Sequence, residues 1–250
     1  NYLNPDVKIV ADESIEPQDQ QRIAVSLLNW LKQENKNLLQ DLIKIENSNT
    51  ENRFIRGLCY QLFENNGVLK RESVDSIVKQ INKEDRVSLR KLGIKIGRYH
   101  IYQPRMVKPA AVTFKTILWN CFYNLSENEC PAFGLNFVKN FSNKNKEYLL
   151  ICGFETFDNY IVRIDMLERL FLKIISLGKS GAFELTSDML NLLGSTKEDF
   201  KELMKKMNYK CIENKEKTLF KYMPKKYFSK SIATKVSNNP FGELKKIKTL

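Results

Sequence analysis

Histidine occurs once, at His100, and the five cysteines, Cys59, Cys121, Cys130, Cys152 and Cys211, form no C-x2-C to C-x4-C pair. No zinc site can be read from so sparse a set. One histidine also leaves a Ser-His-Asp or Cys-His relay without the partners it needs. An odd, scattered group of cysteines is expected as reduced thiols, packed as small buried hydrophobes in a cytoplasmic compartment. No apolar run approaches the roughly 18 residues of a membrane span, and the N-terminus lacks the charged-then-apolar order of a secretion signal, so no membrane partner is expected. A phosphate-binding loop is missing too. Gly178-Lys179-Ser180 resembles the end of one, but the turn glycine required five positions earlier is replaced by Lys173. Gly178 reads more simply as a helix C-cap, and no acidic box stands ready to hold magnesium. No internal repeat is visible.

Acidic residues are absent from one further place, between residues 86 and 108, where seven basic residues stand without a counter-charge. The whole chain of 250 residues carries +12, and nearly neutral stretches lie on either side of this segment. The second basic stretch is 201–250, with fourteen basic residues against four acidic. Such a distribution concerns partners and not fold. With 42% hydrophobic and 28% charged residues, the chain has ample material for a core. It opens at Asn1, with a short hydrophobic patch from Val7 to Val10 running into acidic residues, which suggests a piece of a longer protein.

Apolar spacing predicts a helix from Pro17 to Ile45, a second from Phe54 to Phe63 ended by Asn65-Asn66-Gly67, and a third opening at Ser73. The first ninety residues read as all-helical. Alternation over 94–103 predicts a strand, and Lys108-Pro109 a helix buried through Ala111, Phe114, Leu118, Cys121, Phe122 and Leu125. Leu149 to Phe157 and Tyr160 to Ile164 read as a hairpin about Asp158-Asn159. Asp165 and Glu168 then form a capping box for a helix carrying Leu167, Leu170, Phe171 and Ile174.

A helix from Ser187 to Leu193, a second capping box at Ser195 and Glu198, a helix buried through Phe200, Leu203, Met204 and Met207, and two β runs follow in the order of a winged helix. The expected fold class is mainly α with small β elements, a helical bundle-like region plus a winged-helix-like C-terminal module. The expected divisions are a helical region over 1–90, a mixed α/β core over 91–180, the winged-helix-like module over 181–224 and a basic flexible tail over 225–250.

Cations neutralise phosphates and release counterions, while aromatic rings stack on unpaired bases. The candidate nucleic-acid contacts are therefore Arg86, Arg90, Lys91, Lys95, Arg98, Tyr99, Arg105 and Lys108, with Lys201 and Lys205 on the last helix. His100 and Tyr102 interleave with the first group and are equally readable as core. Glu198 and Glu202 can pair locally with the lysines of the last helix, as Glu202 would with Lys206, which weakens that part of the surface.

Three blocks carry a family resemblance. Leu89-Arg90-Lys91-Leu92-Gly93-Ile94-Lys95-Ile96-Gly97-Arg98-Tyr99-His100-Ile101-Tyr102, continued by Pro104 and Lys108-Pro109-Ala110-Ala111, resembles the region downstream of the motor in bacterial relatives of the mitochondrial degradosome RNA helicase. Arg163 to Arg169 resembles a second segment of those proteins, and Asn239-Pro240-Phe241 with Leu244-Lys245-Lys246 resembles their ending. Gln103, Val107 and Gly242 depart from the pattern. The resemblance implies an intact ATP-dependent superfamily II helicase with its two motor domains ahead of Asn1. ATP and magnesium are then expected for the motor and no cofactor for this chain. The implied partners are an RNA or DNA strand and the motor domains in cis; the alternative expectation is a docking module for a protein partner such as a nuclease. No catalytic residue transfers, because none of the motor motifs is present.

Overall fold

The computed structural model describes residues 3, 5–10, 15–48, 51–125, 129–142, 145–178, 181–213 and 217–223. The expected tail over 225–250, the third resembling block and Lys179-Ser180 lie outside the described residues. About 55% of the described residues are helical, with three small antiparallel sheets among them, so the fold is mainly α with small β elements.

The predicted first helix is two. α1 (Pro17–Leu38) carries proline in its first turn, and α2 (Gln40–Glu46) follows after Leu39 leaves helical geometry at φ −106°, ψ 22°. Leu39 turns into the core, whereas α1 buries none of its residues. α3 (Arg53–Glu64) starts where the Asn52 side chain accepts a hydrogen bond from the Phe54 amide at 2.9 Å. It ends at Asn65, and Asn66 and Gly67 follow at positive φ.

The chain then enters β1 (Val68–Lys70), so the first ninety residues are not all-helical. A run of three residues is too short to declare a period of two. A 3-10 turn over Arg71–Val74 leads to α4 (Asp75–Gln80) and α5 (Lys83–Lys91), the latter opened by a reciprocal Asn82–Asp85 capping box. The strand expected over 94–103 is a hairpin instead, β2 (Lys95–Ile96) and β3 (His100–Tyr102), pairing in the order β1-β3-β2.

α6 (Pro109–Tyr123) begins as expected and buries Ala111 and Leu118 with Phe114 half-buried, but the face is completed by Val112, Lys115 and Trp119, while Cys121, Phe122 and Leu125 are exposed. β4 (Phe137–Lys139), β5 (Phe154–Thr156) and β6 (Tyr160–Arg163) form the second sheet, in the order β4-β6-β5, with α7 (Lys146–Ile151) between β4 and β5 in the chain. Leu149 therefore lies in a helix and not in the predicted hairpin, because Asn145 accepts from the Glu147 and Tyr148 amides and nucleates a turn.

α8 (Ile164–Leu177) has Arg163, not Asp165, at its N-cap position, and the Arg163 guanidinium grips Asp165 through two 2.7 Å hydrogen bonds. β7 (Ala182–Glu184), missed by periodicity, precedes α9 (Ser187–Leu193) and α10 (Lys197–Lys206). The cap of α10 is Thr196, which accepts from Asp199, one residue beyond the predicted Ser195–Glu198 box. β8 (Tyr209–Glu213) and β9 (Thr218–Tyr222) close the third sheet in the order β7-β9-β8.

One core joins α2 and α3 to Leu89, Ile94 and Ile101. Another joins α8 to the last two helices through Phe171, Phe200 and Phe220, each fully buried and each contributing roughly 1.5–3 kcal/mol. The β2–β3 hairpin stands between these cores, with Tyr99 packed edge-on against Phe171 at 4.5 Å.

Candidate nucleic-acid interface

The tip of the β2–β3 hairpin is a two-residue turn, Arg98-Tyr99, closed by a 2.8 Å hydrogen bond from the Gly97 amide to the His100 carbonyl. Its other closing groups find partners elsewhere. The Arg71 guanidinium donates to the Gly97 carbonyl at 2.9 Å. Glu168, on α8, accepts from three successive backbone amides: Arg98 at 2.5 Å, Tyr99 at 2.8 Å and His100 at 2.7 Å. Three amides converging on one anion form a concave nest of the kind that holds negative charge. Glu168 is thus a tertiary clamp on the hairpin, and the expected capping role is replaced by contacts 68 to 70 residues away.

The clamp continues inward through His100, whose ring is only 2% exposed. Its Nδ1 lies 3.2 Å from Glu168 and its Nε2 lies 2.7 Å from Glu155 on β5. Lys70 of β1 donates to the other oxygen of Glu155 at 2.6 Å. Burial alone would lower the imidazole pKa, but hydrogen bonds to Glu155 and Glu168 outweigh it and hold the value above normal. Burial pushes Glu155 up, and the hydrogen bonds from His100 and Lys70 prevail, leaving it low. The result is an imidazole ring held between two carboxylates, an environment that favours its protonated form.

Gly97 is required by this geometry. A Cβ there would strike the Glu168 carboxylate and lie 2.8 Å from the His100 carbonyl. Gly97→Ala is expected to destabilise the protein by about 2–4 kcal/mol through loss of the clamp, read as a lowered urea midpoint. A midpoint within experimental error of wild type would show that the contact is dispensable.

Arg90, Lys91, Lys95 and Lys108 are exposed and form no ion pair with another described residue. Arg86 is half-buried on α5. Arg105 is drawn aside, donating to Gln40 at 2.9 Å and lying 3.7 Å from Asp41. Arg98 is exposed and lies over the rings of Tyr99 and, at 5.6 Å, Tyr222 of β9, joining the hairpin to the third sheet. Tyr99 is half-buried, its hydroxyl pKa pushed up to about 12 by burial and neighbouring Tyr209, so it packs as an anchor and not as a free stacking face. His100 and Tyr102 are core residues.

Lys201 is committed to Glu213 across the α10–β8 contact. Lys205 is exposed. Lys206 pairs with Asp158 and not with Glu202. On the outer face of the third sheet, Lys210 and Lys221 stand directly opposite each other, both exposed. A like-charge cross-strand pair costs stability. Spacing gave no hint of it, since the two lysines come from strands whose register only the fold sets. Lys70, Arg71, Arg98, Tyr99 and Tyr222 line a cleft of about 550 Å³ between the hairpin and the third sheet.

Among the described residues, no group of three His, Cys, Asp or Glu is placed to hold a metal ion, and no helix is long and apolar enough to cross a membrane. Comparisons with family models, with curated proteins and with solved structures return no match.

Proposed function

We propose that this chain is the C-terminal accessory region of an ATP-dependent superfamily II helicase and that it guides a single nucleic-acid strand past the motor. The observation that carries the reading is the segment 86–108, basic throughout, with Arg90, Lys91, Lys95 and Lys108 exposed and without ion-pair partners among the described residues. Cations left unneutralised by the fold are available to phosphates, and each phosphate neutralised releases counterions. The three blocks that resemble degradosome-type helicases add to it. ATP and magnesium then belong to the motor, and this chain supplies affinity and strand placement.

The finer reading of the C-terminal part is a winged helix. The order α8, β7, α9, α10, β8, β9, with strand order β7-β9-β8, supports it. The opposed Lys210 and Lys221 then lie on the wing, where the stability they cost is offset when an anion approaches.

Arg90→Glu, Lys91→Glu, Lys95→Glu and Lys108→Glu combined is expected to weaken binding of a fluorescent single-stranded RNA 20-mer at least ~100-fold in 50 mM salt, measured by anisotropy. None of the four side chains is buried, so the fold is retained. Unchanged affinity would remove this surface from the account.

A second reading, a docking module for a protein such as a nuclease, is favoured by α1. Ile23, Leu27 and Trp30 share one stripe of that helix, and Trp30 is 60% exposed. It predicts weak, salt-insensitive nucleic-acid binding together with copurification of that partner.

A further inference from the structure

We infer that Cys130 and Cys152 form a reversible redox pair, closing to a disulfide when a peroxide oxidises the protein. Their sulfurs are 3.5 Å apart although 22 residues separate them in sequence. Cys152 is buried at the C-terminal end of α7, and Cys130 is half-exposed in the segment before β4. Both belong to one small core with Tyr148 and Phe154. Bond formation needs a closure of about 1.5 Å, within reach of a rotation of the Cys130 side chain.

The surroundings divide the chemical roles. The thiol of Cys130 is held below its ordinary value by hydrogen bonding with Cys152, and it is the more accessible sulfur, so it is the one that meets the oxidant. Cys152 is held high by Cys130 and by burial, with the fully buried Lys115 acting in the opposite direction, and it serves as the resolving thiol. Cys130 as thiolate attacks one oxygen of the peroxide; the O–O bond breaks, giving Cys130 sulfenic acid and one alcohol or water. The Cys152 sulfur then attacks the sulfenyl sulfur, the S–O bond breaks, and the hydroxyl leaves as water with the Cys152 proton. Two thiols lose two electrons in all, and the peroxide takes them.

The link would tie the segment ahead of β4 to the end of α7, enclosing both elements in one loop. It goes beyond the strand-guiding proposal and does not depend on it. Cys59 is buried, Cys121 exposed and Cys211 half-buried, and none of the three has a sulfur partner, which sets this pair apart.

Reduced wild-type protein treated with hydrogen peroxide at near-stoichiometric amounts, then alkylated in denaturant, is expected to show three labelled cysteines in place of five. Mass spectrometry should show a chain lighter by about 2 Da before alkylation, with a Cys130–Cys152 cross-linked peptide that dithiothreitol abolishes. Cys152→Ser should form no cross-link and should leave Cys130 reactive toward dimedone. Five labels after treatment, a cross-link through Cys121 between two chains, or sulfinic acid at Cys130 beside a free Cys152 would each overturn the inference.

Discussion

Glu168→Ala is expected to cost about 3–5 kcal/mol of folding free energy, the range seen when one member of a buried ionic group is removed. Three amides of the hairpin turn, Arg98, Tyr99 and His100, lose their acceptor together, and the His100 ring loses one of its two carboxylates. Glu168→Gln should recover only part of the loss. Its amide nitrogen presents a donor where the Arg98 amide also donates. Urea unfolding monitored by circular dichroism gives the value, and a loss below about 1 kcal/mol would mean that the hairpin holds itself.

The pH dependence has two limbs. His100 has a raised value in the folded state, so its contribution is fully present below the unfolded imidazole value near 6.5 and is lost as pH rises through the folded value. Glu155 has a lowered value, so its contribution is present above about 4.5 and is lost as pH falls through the folded value. The network, which also contains Lys70 and Glu168, is therefore strongest in mildly acidic solution, between about pH 4.5 and 6.5. Removing Glu168 should flatten the alkaline limb most.

Lys115→Met is expected to stabilise the protein by about 1–3 kcal/mol at pH 7, against the usual direction of mutations. Lys115 is completely buried on α6, and its ammonium nitrogen has one hydrogen bond, to the Asn66 carbonyl at 3.0 Å. Among the described residues no carboxylate pairs with it, and burial lowers its pKa to about 7. The unfolded chain therefore binds more protons than the folded one between pH 7 and about 10.5, and wild-type stability gains from this group as pH rises across that window, by up to about 1.4 kcal/mol per unit. Methionine fills a similar volume with no charge to desolvate, leaving only the Asn66 carbonyl short of a partner. The difference between variant and wild type should shrink from pH 7 to pH 9.5. A variant less stable than wild type at pH 7 would show that Lys115 is charged and well paired.

These two residues mark what could not be read from sequence. Lys115 falls within a helix whose start at Pro109 was legible, but the predicted face placed Cys121 and Phe122 inside, and the turn of the helix that packs instead carries the lysine inward. Glu168 has the spacing of a capping box with Asp165, and local spacing is all that a sequence window contains. Its real partners come from a hairpin about seventy residues earlier. Where the deciding interaction is local, the reading holds: the Pro17 and Pro109 starts, the Asn65-Gly67 stop and the buried face of α10 are all present. The exposure of Arg90, Lys91, Lys95 and Lys108 agrees with a run of like charge, whereas Tyr99 shows that an aromatic set among cations can be an anchor for the hairpin.

The central claim, that the hairpin and its flanks present an unneutralised cationic track to a nucleic-acid strand, is tested most directly by the salt dependence of wild-type binding. Anisotropy titrations of a single-stranded RNA 20-mer between 50 and 300 mM KCl should give a log–log slope of about −3 to −4, as about five phosphate contacts through Arg90, Lys91, Lys95, Arg98 and Lys108 require. No binding at 50 mM KCl, or binding with a slope near zero, would contradict it.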